Sequence, residues 1–398
     1  MTHVVFISHD ANRTGAPIVL LHLLRWLKKQ QVFTFSIILL RGGELESEFR
    51  SIAPTYVWHL PPVDGSVSPS ISRRIWNRAR RFVRPRGTRQ QHEQQIIEVL
   101  RQSNTQLIYA NTVVSAELAV QLKASLGCPA LCHVHELAMA IEGYFGTARF
   151  EKILPQLDLL VAASEAVKEN ILATYAVAAD KVVKVYEFIA PPPLQADTAE
   201  TRAAVRASLG IPPEAAIIVA SGTFEWRKAP GLFIQIADYM RRNMEVMPYF
   251  LWIGGSIKTL AWQELQYDVE KLGLTDYVKF IGPRPNPLDY LLSAELFVLT
   301  SREDPYPLVC LEAAALAKPV LCFEQSGGMP EFVETDCGRV LPYLQIDAMA
   351  RAIQDLLLDS AKRQELGSQA QRKVQSQHSV EVAGQQVVEL LHKLIAVR

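Results

Sequence analysis

LFVLTSREDPYPLVCLEAAALAKPVLCF, residues 296–323, decides how the chain folds. LFVLTS reads as a strand. Pro307 suits the first turn of a helix that runs to about Lys318, and Pro319 ends it before a second strand, PVLCF. Two short apolar runs joined through a helix argue a parallel pair with the helix packed on the sheet. The acids in this stretch are placed unevenly. Glu303 and Asp304 lie in the loop, and Glu312 lies inside the helix, with seven residues between it and Asp304. A helix start offers unpaired N–H groups and the positive end of the dipole, where an anion or hydroxyls can be held. Carboxylates there accept hydrogen bonds, which suits the vicinal hydroxyls of a sugar or ribose. Glu303 and Asp304 could merely favour the dipole, with Glu312 on a solvated face. That reading fits Glu312 poorly, because every neighbour in PLVCLEAAALA is apolar.

The same strand–helix alternation runs outward in both directions. HVVFIS, TFSIILL, QLIYAN, PALCHVH and DLLVAAS precede the stretch as β-like runs, with helical patterns such as APIVLLHLLRWLKKQ between several of them. In that helix Thr14 is a candidate cap, Pro17 falls in the first turn and lysines end it. APPPLQAD, residues 190–197, stiffens the chain and stops regular structure, so the boundary between two domains is placed there. AAIIVASG, PYFLWIGG and VKFIG then restart the alternation. The expectation is two doubly wound α/β domains, residues 1–190 and 191–375, with a last helix in 376–398 returning to the first domain. At 398 residues the chain is long enough for two cores.

Composition excludes some classes and leaves others open. Lys+Arg and Asp+Glu are both 41, so net charge gives no sign of a nucleic-acid partner. MTHVVFISHD has no basic leader and reads as a strand rather than a signal peptide. No apolar run reaches the ~18 residues of a membrane span. Cys128, Cys132, Cys310, Cys322 and Cys337 are odd in number and lack paired spacing, so they read as reduced thiols and the protein as cytoplasmic.

Ligands of such sheets bind beyond the carboxyl ends of the strands. In the first domain those positions hold SHDANRTGAP, Asn111–Thr112 and HVHE. In the second they hold SGTFEWRKAPG, IGGS, TSREDPYP and EQSGGMPE. Two such edges facing each other form a cleft suited to a bipartite ligand. No Asp-x-Asp pair, HExxH motif or Cys/His cluster occurs, so a metal-independent site with no cofactor is expected.

Taken in order, these segments resemble the retaining GT-B glycosyltransferases of family 4. SREDPYPLVCLEAAALAKPVLCF is similar to the family's pair of glutamates with seven residues between them. SHDANRTGAPIVLLHLL, HVHE, SGTFEWRKAP, IGG, VKFIGPRP and GGMPE resemble its other landmarks, over nearly the whole chain. There are two departures: Asp304 stands where the first glutamate is usual, beside Glu303, and Gly15–Ala16 replaces a double glycine.

The resemblance implies a nucleotide-sugar donor, UDP- or GDP-linked, held mainly by the second domain. Arg227 and Lys228 would meet the diphosphate, Glu312 the ribose, and Asp304 or Glu303 the sugar. Gly15, Ala16, Gly327, Gly328, Leu308 and Val309 would bring backbone close to the donor. His135 would be the first domain's catalytic contribution, with His133 two residues away on the same side. His9, Asp10 and Asn111 would face the acceptor, a glycan or lipid-linked sugar. A nucleotide-sugar-binding regulator without turnover and a sugar-nucleotide epimerase are the competing readings, the first hinted at by Asp304. One further stretch, residues 70–91, has eight arginines and no acid. With Trp76 and Phe82 at near-helical spacing it reads as an insertion that meets an anionic membrane surface through Arg73, Arg74, Arg78, Arg80 and Arg81, peripheral at the inner face.

Overall fold

The computed structural model describes residues 1–58, 86–190 and 199–396. The first sheet is built from β1 (His3–Ser8), β2 (Thr34–Leu39), β3 (Thr55–Val57), β4 (Thr105–Asn111), β5 (Ala130–Val134), β6 (Leu159–Ala162) and β7 (Val182–Lys184). The second contains β8 (Ile217–Ser221), β9 (Tyr249–Ile253), β10 (Val278–Gly282), β11 (Leu296–Leu299), β12 (Val320–Phe323) and β13 (Gly338–Leu341). Their orders are β3-β2-β1-β4-β5-β6-β7 and β10-β9-β8-β11-β12-β13. The first three strands of each run outward and the chain then returns past the start, which is the doubly wound pattern. Strand pairing is parallel throughout both sheets.

Both faces of each sheet are covered, so alternate residues of one strand serve opposite cores. In β1, Val5 and Ile7 join one cluster while Val4 and Phe6 join the other. In β8, Ile218 and Ala220 part in the same way from Ile217 and Val219. Two-sided burial is why these strands read as continuous apolar runs rather than alternating ones. The three strands with no such signal are β3, β7 and β13. Each is three or four residues long and lies at a sheet edge, where half-buried side chains leave little pattern.

The helix between β11 and β12 is shorter than its sequence suggests, spanning Leu308–Ala315. Pro307 is its N-cap rather than a first-turn residue. Ala317 turns to a left-handed φ of 54°, and the buried Lys318 ammonium donates to the carbonyls of Leu292 and Ala294 at 2.7 and 2.6 Å. Those bonds redirect the chain into β12 before the proline is reached. Thr14 sits at the N-cap of the helix Gly15–Gln30, but its hydroxyl makes no capping bond. All five cysteines are free and buried.

The last helix, Val380–Ala396, lies on the first domain. Val380, Ala383, Val387 and Leu391 complete the core that holds Val19, Leu20, Leu23, Leu24 and Leu27 of the helix Gly15–Gln30. A bridge between Ile189 and Ser379 marks the crossing. Of the arginine-rich stretch, residues 70–85 lie outside the described residues, including Arg73, Arg74, Arg78, Arg80 and Arg81. Its end enters the helix Arg86–Gln102, where Arg89 pairs with Glu93 at 2.8 Å. Among the described residues no helix is long and apolar enough to cross a membrane. Leu391 is fully buried, so Leu391→Ala is expected to cost about 2–5 kcal/mol. Urea denaturation followed by tryptophan fluorescence checks this, and an unchanged midpoint would contradict the docking of the last helix.

Candidate functional site

Three loops of the second domain meet at Asp304. Its carboxylate is 3% exposed as a residue and accepts from three side chains. Lys228 and the Ser301 hydroxyl (3.0 Å) donate to Oδ2, and Arg227 donates to Oδ1 at 3.4 Å. Arg227 also donates to the Glu303 carbonyl at 3.2 Å. The main chain is tied equally closely. Asp304 N–H donates to Ser326 O at 2.7 Å, and Gly328 N–H returns to the carbonyls of Asp304 and Pro305 at 3.2 and 3.1 Å. Gly327 has φ of 119°, and a Cβ there would lie 1.9 Å from the Asp304 carbonyl oxygen. A Cβ at Gly328 would lie 2.3 Å from the Pro305 oxygen. The two glycines are therefore required by the protein's own backbone, which is a different task from the close approach to a sugar expected of them. At Gly15 the reverse holds: a Cβ would meet nothing within 4 Å. The fold itself does not demand glycine there, and the space beside it is open.

Glu303 and Asp304 diverge completely. Glu303 turns away from the cations and reaches the other domain, where it accepts from the amides of Met139 and Ala140 at 3.1 and 3.2 Å. Those amides open the helix Ala138–Tyr144, so the carboxylate satisfies donors with no intrahelical acceptor. Glu331 does the same at the helix Glu165–Thr174, accepting from the amides of Glu165 and Ala166 at 2.9 and 2.7 Å. Of the two acids open to a sugar-binding role, Glu303 is thus engaged in joining the domains. Tyr144 faces Arg227 across the same gap.

Glu312 sits half-buried on the helix Leu308–Ala315, with no hydrogen-bond or ion-pair partner among the described residues. Burial alone pushes its carboxyl up to about 7. The first two amides of that helix, on Leu308 and Val309, have no intrahelical acceptor. The Leu308 side chain is spent on packing, and touches the core of each domain. Val309 packs only on the second.

The first domain faces this with a polar cluster at the carboxyl ends of β1, β4 and β5. His135 is buried and both its ring nitrogens are engaged, Nδ1 with Glu187 Oε1 at 2.5 Å and Nε2 with Asn111 Oδ1 at 2.9 Å. Asn111 donates in turn to the Ala16 carbonyl at 2.9 Å. His133 stacks at 4.0 Å between ring centres and takes the Tyr109 hydroxyl on Nδ1 at 2.6 Å. Burial, and then the His135 charge, hold His133 well below the usual histidine range. His9 lies 3.6 Å from Asp10 and 3.5 Å from the Thr112 hydroxyl. Burial lowers its pKa more than Asp10 raises it, so it is a neutral imidazole at pH 7. Asp10 is held by the backbone and side-chain amides of Asn12 at 3.0 and 2.6 Å.

The structure thus brings together Arg227, Lys228 and Asp304 on one side, and His9, Asp10, Asn111 and His135 on the other. Glu187, Glu331 and Tyr144 adjoin these residues and were not singled out in the sequence. Glu331 closes the GGMPE segment and was within reach; Glu187 and Tyr144 carry no motif.

Comparison with known proteins follows the same two halves. Residues 13–191 match the family model described as Glycosyltransferase Family 4, and residues 201–373 match Glycosyl transferases group 1. A D-inositol 3-phosphate glycosyltransferase of Jonesia denitrificans is 27% identical over 238 residues, covering 56% of this chain and 54% of that protein. The lipopolysaccharide core biosynthesis glycosyltransferase LpsD of Rhizobium meliloti is 27% identical over 201 residues, covering 48% and 54%. The chain thus spans about half the length of the curated relatives it matches. Among solved structures, HepE of Anabaena in complex with UDP-glucose superposes with a TM-score of 0.78 at 18% identity, covering 99% of this chain and 100% of that one. Sucrose-phosphate synthase of Thermosynechococcus elongatus gives 0.75 at 18% identity with both chains covered fully, 100% each. These likenesses show the fold.

Glu303→Ala combined with Glu331→Ala removes four backbone-to-carboxylate bonds between the domains. A more open cleft is the expected outcome, read as a larger radius of gyration in small-angle scattering. A superimposable profile would mean that these contacts do not hold the domains together.

Proposed function

Because the chain belongs to glycosyltransferase family 4 and has its GT-B fold, we propose that it moves a hexose from a nucleoside diphosphate sugar to a hydroxyl of a glycan or lipid-linked acceptor, with retention of anomeric configuration. The observation that carries this reading is the pairing of Arg227 and Lys228 at Asp304, beside a helix start with free amides and an unpartnered Glu312 eight positions on. Two cations and a helix N-terminus suit a diphosphate. A lone carboxylate in an apolar wall suits the ribose hydroxyls of the same ligand, because it lacks any acceptor satisfaction of its own.

Lys228 and Arg227 would trade part of their contact with Asp304 for the phosphates. As the bond from the anomeric carbon to the diphosphate breaks, negative charge gathers on the leaving oxygen, and these cations meet it. The acceptor hydroxyl bonds to the same face of the sugar and its proton passes to the leaving phosphate. Both oxygens of Asp304 are occupied by Lys228, Ser301 and Arg227, which leaves it poorly suited to act as a nucleophile and supports the same-face route. Uridine is the first base to try, since the HepE complex holds UDP-glucose.

The test is UDP release from UDP-glucose, and from GDP-mannose as the other base. Lys228→Ala and Arg227→Ala are each expected to lower turnover about 10–1000-fold at saturating donor. Full turnover in both would remove the leaving-group role. Activity is expected to persist in EDTA; loss on chelation with recovery on added Mg²⁺ would overturn the metal-free proposal.

Glu312 gives a pH-dependent signature. Its folded pKa is raised, so its ionisation costs stability as the pH climbs through about 7. Ribose hydroxyls donate to the ionised form and pull the pKa back down. Nucleotide binding at about pH 6 is therefore expected to release a proton, and at about pH 8 to release none. Calorimetry of UDP-glucose binding in buffers of differing ionisation enthalpy measures this, because its diphosphate, unlike the terminal phosphate of UDP, has no group titrating between about pH 6 and 8. Glu312→Gln should abolish the release and weaken UDP about 10–100-fold, the loss of one charge-assisted pair.

A further inference from the structure

Hydrogen-bond inventory at His135 fixes a proton count. The Asn111 amide nitrogen faces the Ala16 carbonyl, which can only accept. The Asn111 oxygen is therefore the end that faces His135, and Nε2 must carry a hydrogen to reach it at 2.9 Å. On the other side Nδ1 stands 2.5 Å from a Glu187 carboxylate oxygen. Two acceptors cannot approach so closely without a proton between them. The His135–Glu187 pair thus holds one proton more than a neutral imidazole beside a carboxylate would need, and its net charge is zero.

The surroundings agree with this count. The groups facing His135 are Glu187 from the segment after β7, Glu136 and His133 from its own strand and loop, His9 from β1, and Tyr109 from β4 through His133. Arg41 acts on His9 from beyond it. Burial disfavours the imidazolium, but the charge and hydrogen bond of Glu187, followed by Glu136, outweigh it and raise the pKa. A raised histidine pKa contributes stability that is whole below the ordinary value and is lost as pH rises through the raised one. His133 and His9 are both shifted the other way, by burial and by the His135 charge. Among the described residues the second Glu187 oxygen is buried without a partner, which makes the His135 proton the carboxylate's main compensation there. The Glu187 carbonyl is fixed as well, accepting from His378 Nδ1 at 3.1 Å beside the interdomain crossing.

We propose that Glu187 is a positioning residue for the transfer site: it keeps the second proton on His135, so that His135 can hold Asn111, and Asn111 can hold the Ala16 carbonyl at the loop where the first domain meets the donor. This rests on the glycosyl-transfer reading above. A neutral His135 would have one N–H for two acceptors, Glu187 and Asn111, so one side of the chain would be released; the Glu187→Gln side chain still presents an oxygen to Nδ1 but no charge to hold the second proton. The helix Gly15–Gln30 then begins without its tether.

The experiment has two arms on the full chain. The first reads protons without any donor. Long-range ¹H–¹⁵N spectra of histidine-labelled protein, with His135→Gln to assign the signal, are expected to show both His135 nitrogens protonated at pH values above the ordinary histidine range. In Glu187→Gln the ring is expected to titrate at or below the ordinary histidine value, while Glu187→Asp retains the second proton. Singly protonated His135 in the wild type at neutral pH, or an unchanged titration in Glu187→Gln, would overturn the proposal whatever the enzyme transfers. The second arm follows UDP release from UDP-glucose against pH. Glu187→Gln should lose about 10–100-fold at alkaline pH and regain most of it at acid pH, where His135 takes the proton from water. Its KM for donor should change little, since the nucleotide lies on the second domain. A loss independent of pH would mean a merely structural role. Thermal melts establish that each variant is folded. If the spectra behave as expected and UDP-glucose and GDP-mannose both remain intact, the glycosyl-transfer reading fails and the proton lock stands.

Discussion

Everything in the second domain's half of the cleft hangs on one buried carboxylate. Asp304 draws Lys228 and Arg227 from the loop after β8, holds Ser301 of its own loop, and binds main chain to main chain with Ser326 and Gly328 after β12. A charge this deeply buried is costly unless matched, and here two cations and a hydroxyl match it. The match also leaves a surplus of one positive charge among the three side chains. That surplus, fixed before any ligand arrives, is what an incoming anion would meet. A glutamate at the same position would carry its charge one methylene further out, so aspartate sets how deeply the two cations sit.

A recurring polar device helps to join the domains. Glu303 and Glu331 each leave the second domain and cap the opening amides of a first-domain helix. Polar joints of this kind are exchangeable with water at modest cost. Leu308 adds an apolar contact, since it packs on a core of each domain, and Tyr186 faces Tyr306 at 5.3 Å between ring centres. The loop that carries Asp304 therefore also carries two of the cross-domain contacts, and what happens at the cations is mechanically close to what happens at the joint.

Much of this was legible in the chain. Central strands buried on both faces announce themselves as apolar runs, and the polar loops after them locate the cleft without any three-dimensional knowledge. Edge strands β3, β7 and β13 did not, because three or four half-buried residues carry no periodicity. Asp304 and Glu312 were legible through their spacing, and the helix between them through its apolar composition. The division of labour between Glu303 and Asp304 was not, because adjacent residues of a loop can point anywhere. Gly327 and Gly328 were legible as glycines needing close approach, but the approaching group was the Asp304–Pro305 backbone. Glu187 was invisible for a simpler reason: its partner His135 is 52 positions away, and nothing local marks either as half of a pair.

The return of the last helix to the first domain has a consequence for synthesis. The helix Gly15–Gln30 is synthesised before the whole second domain, yet part of its apolar surface is covered by Val380, Ala383, Val387 and Leu391, which follow that domain in the chain. Domains ordinarily complete themselves in the order they are made. Here the earlier domain must wait with leucines uncovered while the later one, whose cores are assembled from residues between 189 and 374, is translated and closes. The interval is set by translation rather than by folding, and through it a chaperone or the nascent chain itself has to shield that surface.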